Sequence, residues 1–186
     1  MNWLGYLAQR EISENDSVLD LGCGIMQATL DHIPSYPKTR LQCAKITGVD
    51  IHKPYLEWLN INYPEIETLH WDLSKIPIPF QDKSYDIILL IDILEHLDSL
   101  EIVRNIISES NRIARKKIIV LTPKKFDPNL AATKNVWGLG PNEYQKHRLN
   151  IKIEDLENLG FKVFTPIIQK QSSRHNYAVK KLEGPI

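Results

Sequence analysis

The chain has only two cysteines, Cys23 and Cys43, in 186 residues. That leaves no disulfide framework and no Cys-based metal spacing, and it points to reduced thiols in a cytoplasm. Net charge is missing too. Lys and Arg number 23, as do Asp and Glu, so no global field draws the protein to nucleic acid or to an anionic membrane. Long apolar runs are absent: the longest, residues 87–94, is broken by Asp92 and is far too short to span a bilayer. Residues 1–6 have neither the basic nor the apolar region of a signal peptide. Internal repeats, low-complexity stretches and a phosphate-loop Gly-Lys-Ser/Thr are also lacking. What remains is an ordinary composition, 42% hydrophobic and 25% charged, enough for one compact core.

Against that background Asp20-Leu21-Gly22-Cys23-Gly24, entered through Val18-Leu19, stands out. An apolar run ends on a carboxylate and passes into a turn with two glycines. Glycines turn tightly and let a ligand come close, because they carry no Cβ. A carboxylate beside such a loop repels a pyrophosphate, which wants only backbone N–H groups, and attracts an ammonium or a sulfonium. The charge therefore favours S-adenosylmethionine over NAD. The dinucleotide fingerprint also fails in detail. Gln27 stands where a third small residue belongs, and Asp50 lies 26 residues beyond Gly24 rather than roughly 20.

Hydrophobic periodicity predicts alternating strands and helices. Strands are expected at 18–21, 45–51, 68–71, 86–91 and 117–121, with two final strands, 161–169 and 177–182, pairing with each other. Helices are expected around Trp3, Leu4 and Leu7, at 25–33, from Pro54 to about Asn62, at 100–114, and at 153–159 with Gly160 as its cap. Residues 124–150 show no clean period. This order predicts one α/β domain over 1–186. Its sheet is doubly wound (Rossmann-like) and mostly parallel, with about seven strands, a C-terminal antiparallel hairpin and helices on both faces. In such a sheet ligands bind beyond the carboxyl ends of the strands, and three acids fall there: Asp20 after the first strand, Asp50 after the second and Asp72 after the third. An acid after the second strand can accept hydrogen bonds from both ribose hydroxyls. One after the third can accept the adenine amino hydrogen bond.

The ordered set of motifs resembles the class I S-adenosylmethionine-dependent methyltransferases, in particular their small-molecule branch known as the type 11 group, over about residues 18–163. Val18 to Gly24 is similar to the family's first motif, Asp50 to its ribose-binding acid, and Asp72-Leu73 to its adenine-contacting pair. Ile78-Pro79-Phe80 with Ser84-Tyr85-Asp86 resembles the stretch before its fourth strand, and Ile93-Leu94-Glu95-His96-Leu97 the helix after it. Glu143, Gln145, His147 and Leu159-Gly160-Phe161 resemble the approach to its last helix and strand. The resemblance implies S-adenosyl-L-methionine as methyl donor, held by Asp20, Gly22, Cys23, Gly24, Asp50, Ile51, Asp72, Leu73 and Ile91. Met26 stands where the family usually has a third glycine, so its side chain must be accommodated where the loop meets the methionine part of the cofactor. The Asn/Asp-Pro-Pro-Tyr/Phe element that the family uses for amino methylation of DNA bases and glutamine is absent, and Leu121-Thr122-Pro123 does not replace it.

Methyl transfer from a sulfonium needs alignment above all; a general base is required only where the acceptor must lose a proton early. His96, on the helix past the fourth strand, and His147, in the irregular segment, are the candidate bases, and each is equally readable as a residue making local bonds. Trp137, Tyr144 and Arg148 are candidates for an acceptor pocket, though the aromatics could equally pin the loop to the core. Residues 1–14, as an N-terminal helix, the 34–44 loop and 124–150 would cap the acceptor. Neither Asp86 nor Asp92 nor any His-rich cluster indicates a metal site. The expected activity is methyl transfer to a small or medium-sized acceptor, at oxygen, by a cytoplasmic protein that inserts in no membrane; its oligomeric state is left open. Two other readings stand beside it. One is a non-catalytic S-adenosylmethionine-binding regulator or scaffold. The other is an RNA methyltransferase, which would need the basic spots at 116–117, 124–125 and 146–148 to converge on one face.

Overall fold

The computed structural model describes residues 11–26, 43–128, 138–164, 167–168, 171–172 and 175–182. Four parallel pairings build its centre. Strands β1 (Ser17–Leu21), β2 (Lys45–Asp50), β3 (Glu67–His70), β4 (Tyr85–Ile91) and β5 (Ala114–Pro123) lie in the order β3-β2-β1-β4-β5. The order reverses at β1, and this reversal opens a crevice at the carboxyl ends of β1, β2 and β4. The chain then turns back: β9 (His175–Lys181) inserts between β5 and β6 (Lys162–Phe164), antiparallel to both, completing seven strands. The expected strand at 161–169 is shorter than its pattern. Ile167–Ile168 (β7) pairs instead with Gln171–Ser172 (β8) in a separate ribbon, and Pro166, which has no N–H for a ladder, lies between the two pieces.

Strand β4 is buried at every position, as a central parallel strand covered on both faces must be. Its side chains alternate between two layers. Ile88 and Leu90 join Leu19, Leu21, Ile118 and Val120 under helices α2 (Leu100–Ile113) and α3 (Ile153–Asn158). Ile87, Leu89 and Ile91 join Val18, Ile119 and Leu121 on the other face. Helix α1 (Lys53–Asn62) covers that second face further along, through Leu56 and Leu59. Helix α2 starts where Ser99 caps the Ile102 N–H and buries Val103, Ile106, Ile107, Ser110 and Ile113 along one stripe. Gly160 takes φ +84° just past α3, the left-handed turn that lets the chain enter β6.

The amino ends of β1, β4 and β5 are clamped by one carboxylate. Asp86 accepts hydrogen bonds from the Ser17 backbone N–H (3.0 Å) and hydroxyl (2.9 Å) and from Arg115 (both 3.1 Å), with Lys116 at 3.2 Å. Burial pushes its carboxyl up, but the Arg115, Ser17 and Lys116 bonds outweigh this and hold it far below the usual carboxylate range. The expected N-terminal helix, most of the expected helix 25–33 and part of 124–150 (Trp137 included) lie outside the described residues. Among the described residues no helix is long and apolar enough to cross a membrane.

Candidate active site

The glycine turn is stitched to the end of β2. Backbone N–H groups of Gly22 and Cys23 both donate to the Val49 carbonyl, at 2.8 and 3.0 Å. The Asp50 carboxylate then takes the Gly24 N–H at 2.8 Å through Oδ2 and the His52 N–H at 2.8 Å through Oδ1. Burial pushes the Asp50 carboxyl up, and the His52 and Gly24 N–H bonds oppose it. Each oxygen keeps lone-pair capacity beyond these two bonds. The loop and the acid after the second strand are thus one unit.

That unit forms one wall of a cleft. Its lining runs from Gly22, Asp50, Ile51, Trp71, Asp72, Leu73 and Ser74 to Ile93, His96, Leu97, Asp98, Ile102, Tyr144 and Arg148. Gly22 has φ +76°, and a Cβ there would overlap Ile93, so glycine is required both by the backbone and by the close approach. Asp72 holds the Ser74 N–H and hydroxyl at 2.9 and 2.7 Å. A nucleoside needs acceptors for its ribose hydroxyls and a flat apolar wall for its base. Asp50 and Asp72 beside Trp71, Ile51 and Leu73 provide both, so these residues could hold S-adenosylmethionine.

Four residues named for the cofactor stand apart from this lining. Asp20 does not follow β1 but lies within it, buried between Gly48 and Leu89. Ile91 ends β4 and is buried. Gly24 contributes its backbone N–H to Asp50. The Cys23 side chain points into the core with Met26, Leu56 and Leu59, and burial, followed by the Asp50 and Asp20 charges, pushes its thiol well up. Met26 also differs from expectation. Its side chain is buried with Cys23, Leu59 and Ile66 beneath the loop and is not part of the cleft lining. The space comes from Gly48, where a Cβ would collide with both Met26 and Cys23. Gly48 carried no motif; its only signal was a glycine inside an otherwise apolar strand.

Part of the cleft lining is built by two segments clasped together. Past β4, residues Leu94–His96 form a single 3-10 turn rather than the expected helix, because Asp92, at φ +49°, bends the chain sharply first. The Glu95 carbonyl accepts the Arg148 and Leu149 N–H groups at 2.8 and 3.0 Å, and His96 Nδ1 meets the Lys146 carbonyl at 3.1 Å. The His96 and His147 rings stand edge to face with centroids 5.0 Å apart. Burial pushes both imidazoles down, which keeps them neutral near pH 7. Glu95 is buried beside them, and burial, reinforced by Asp92, pushes its carboxyl well up. Tyr144 and Arg148 line the cleft, Arg148 pairing with Asp98 at 2.9 Å. At the other end of the same segment, Asn142 bonds the buried Tyr55 of α1. Residues 142–149 therefore bridge from α1 to the turn after β4, across the mouth. From sequence Trp71, Glu95 and Asn142 were given no role of their own, although Trp71 directly precedes a named acid and Glu95 lies in the motif with His96. The basic spots lie on different edges: Lys116 and Lys117 pair with Asp16 and Glu11 near the start of β5, whereas Arg148 stands at the cleft.

A family model described as a methyltransferase domain matches residues 19–121, more than half of the chain. Solved structures share the fold over nearly its whole length. The methyltransferase domain of a bacterial CtHen1-CN aligns at 22% identity, covering 97% of this chain and 98% of that one, with a TM-score of 0.61. A SAM-dependent methyltransferase from Methanosarcina mazei aligns at 14% identity over 96% and 98%, TM-score 0.62. The N-methyltransferase NodS from Bradyrhizobium japonicum aligns at 12% over 96% and 92%, TM-score 0.60. No curated protein matches the sequence. With the family model spanning the glycine turn through β5, and the crevice at the order reversal lined by the acids that motif requires, the chain belongs to the class I S-adenosylmethionine-dependent methyltransferases.

Proposed function

We propose that the enzyme methylates a hydroxyl oxygen of a small or medium-sized acceptor bound under the 142–149 bridge. One observation carries the reading. The lining that carries Asp50 and Asp72 also carries His96, a neutral imidazole, with His147 against it. A hydroxyl must lose its proton to become a good nucleophile, and neutral imidazoles accept protons or direct them. An ammonium acceptor would instead want a carboxylate facing it, and the lining acid Asp98 already pairs with Arg148.

S-Adenosylmethionine, when bound, supplies a methyl carbon whose bond to sulfur breaks with both electrons going to sulfur. The chain's part is to bind and align. Gly22, Asp50, Ile51, Asp72 and Leu73 hold the nucleoside side, and the buried Asp20, Cys23, Gly24 and Ile91 shape the loop and strand ends behind it. Tyr144 and Arg148 bound the acceptor, and His96 with His147 receive its hydroxyl. Lining that is largely apolar suits a small molecule rather than a nucleic acid, and two cysteines kept as thiols suit a cytoplasmic home. Fold alone does not choose the atom methylated.

Incubating the purified chain with methyl-labelled S-adenosylmethionine and matched hydroxyl, amine and thiol acceptors tests this. Label should move to hydroxyls, and His96→Ala should reduce transfer by about a hundredfold or more while leaving S-adenosylmethionine binding in place. Transfer to amines alone, or full activity in His96→Ala, would refute it.

A further inference from the structure

Glu95, His96 and His147 form a cluster that proton transfer alone does not call for. Each offers one ligating atom, and these atoms all lie within 4.8 Å of one another. Glu95 and His147 are 3% and 5% exposed, yet among the described residues Glu95 Oε1 and His147 Nδ1 have no hydrogen-bond partner. Leaving a buried polar atom unsatisfied is costly, so two in one place ask for an occupant. His96 is arranged for the same purpose. Its Nδ1 is spent on the Lys146 carbonyl at 3.1 Å, which makes that nitrogen the N–H donor and turns the Nε2 lone pair inward, 4.0 Å from Glu95 Oε1. A histidine that fixes its tautomer on a backbone carbonyl while its other nitrogen points at a carboxylate is oriented as metal-binding histidines are.

The surroundings agree. Thr122 Oγ1 approaches the second Glu95 oxygen at 3.5 Å, and Phe126 packs near the His147 ring at 6.4 Å. Asp92, bent to φ +49° immediately before the turn, adds negative charge that reaches Glu95 and both rings. The nearby Arg148 guanidinium is engaged by Asp98. Metal–ligand bonds of about 2.1 Å hold ligand atoms up to roughly 4.2 Å apart, so the cluster needs only a small contraction.

We propose that Glu95, His96 and His147 bind a first-row divalent transition-metal cation with open positions toward the acceptor end of the cleft. Two imidazoles and one carboxylate suit manganese, iron, cobalt or zinc, whereas magnesium and calcium prefer sites built of oxygen alone. Resting on the hydroxyl reading above, the cation takes the acceptor oxygen as a further ligand and lowers its pKa. The O–H bond breaks, its electron pair stays on oxygen and the proton passes to bulk water. The imidazoles then act as ligands rather than bases.

The test is a titration of Mn2+ into the full chain after chelator treatment, followed by electron paramagnetic resonance. One saturable site per chain is expected, weakened at least tenfold in Glu95→Gln and in His147→Gln, each checked for native circular dichroism and for wild-type S-adenosylmethionine affinity. Should a variant not fold, imidazole nitrogen coupling in the electron spin echo of Mn2+ bound to the wild type decides the matter. No saturable binding, binding unchanged in folded variants, or no nitrogen coupling overturns the site. Methylation assays separate this from the reading it rests on. Hydroxyl methylation that persists in excess chelator removes the cation and keeps the hydroxyl. Saturable binding at these residues without methylation of any hydroxyl removes the hydroxyl and keeps the cation site.

Discussion

Met26 sits at φ +54°, a left-handed position where a side chain costs about 1–2 kcal/mol. It nonetheless stays fully buried against Cys23, Leu59 and Ile66, and that packing exceeds the backbone cost. Met26→Ala keeps the strain and discards the packing, so urea unfolding should show a loss of about 2–4 kcal/mol; a neutral result would contradict this balance. Gly48→Ala places a methyl group where Met26 and Cys23 already lie and should cost about 1–3 kcal/mol by the same measurement. Asp50 has two tasks, holding the Gly24 and His52 N–H groups and facing the cleft.

Elements are held in register at both ends of the sheet by different means. At the amino ends, Asp86 ties β1 to β4 and β5. Its folded pKa is depressed, so its contribution is complete above the unfolded aspartate value near 4 and is lost as pH falls toward the folded value. Asp86→Asn should therefore be less stable than wild type by roughly 1–3 kcal/mol at pH 7, with the gap closing below about pH 4; a gap constant with pH would show that the charge is not what stabilises. At the carboxyl ends, the 142–149 bridge rests on Asn142 at one side and on Glu95 and His96 at the other. Asn142→Ala removes one anchor, worth about 1 kcal/mol, and calorimetry should find S-adenosylmethionine bound several-fold more weakly. Unchanged affinity would mean that the bridge does not shape the cofactor cleft.

At the scale of the molecule, the alternation of buried strands and amphipathic helices was readable because each element's period is local: β4 is apolar from Ile87 to Ile91, and α2 buries one stripe. The glycine turn and Asp50 were readable for the same reason, since a positive φ and a strand-end acid leave marks at single positions. Convergence of distant residues left no such mark. Nothing local in Lys146-His147-Arg148 announces that a segment without period folds back onto Glu95 and His96, or that Asn142 reaches Tyr55. Asp20 was placed after the first strand although the expected strand, 18–21, ends with β1 at Leu21; inside it Asp20 is paired with Gly48 and Leu89. The cleft at the order reversal serves the cofactor, and the histidine cluster serves the acceptor, in the proposed division of the site. Calorimetric titration with S-adenosylmethionine of the wild type, Asp50→Ala and His147→Gln tests that division most directly. The account predicts one site per chain, weakened at least tenfold in Asp50→Ala, where charged hydrogen bonds worth about 1.5–3 kcal/mol are lost, and unchanged in His147→Gln. Absence of binding, or equal affinity in Asp50→Ala and the wild type, would contradict it.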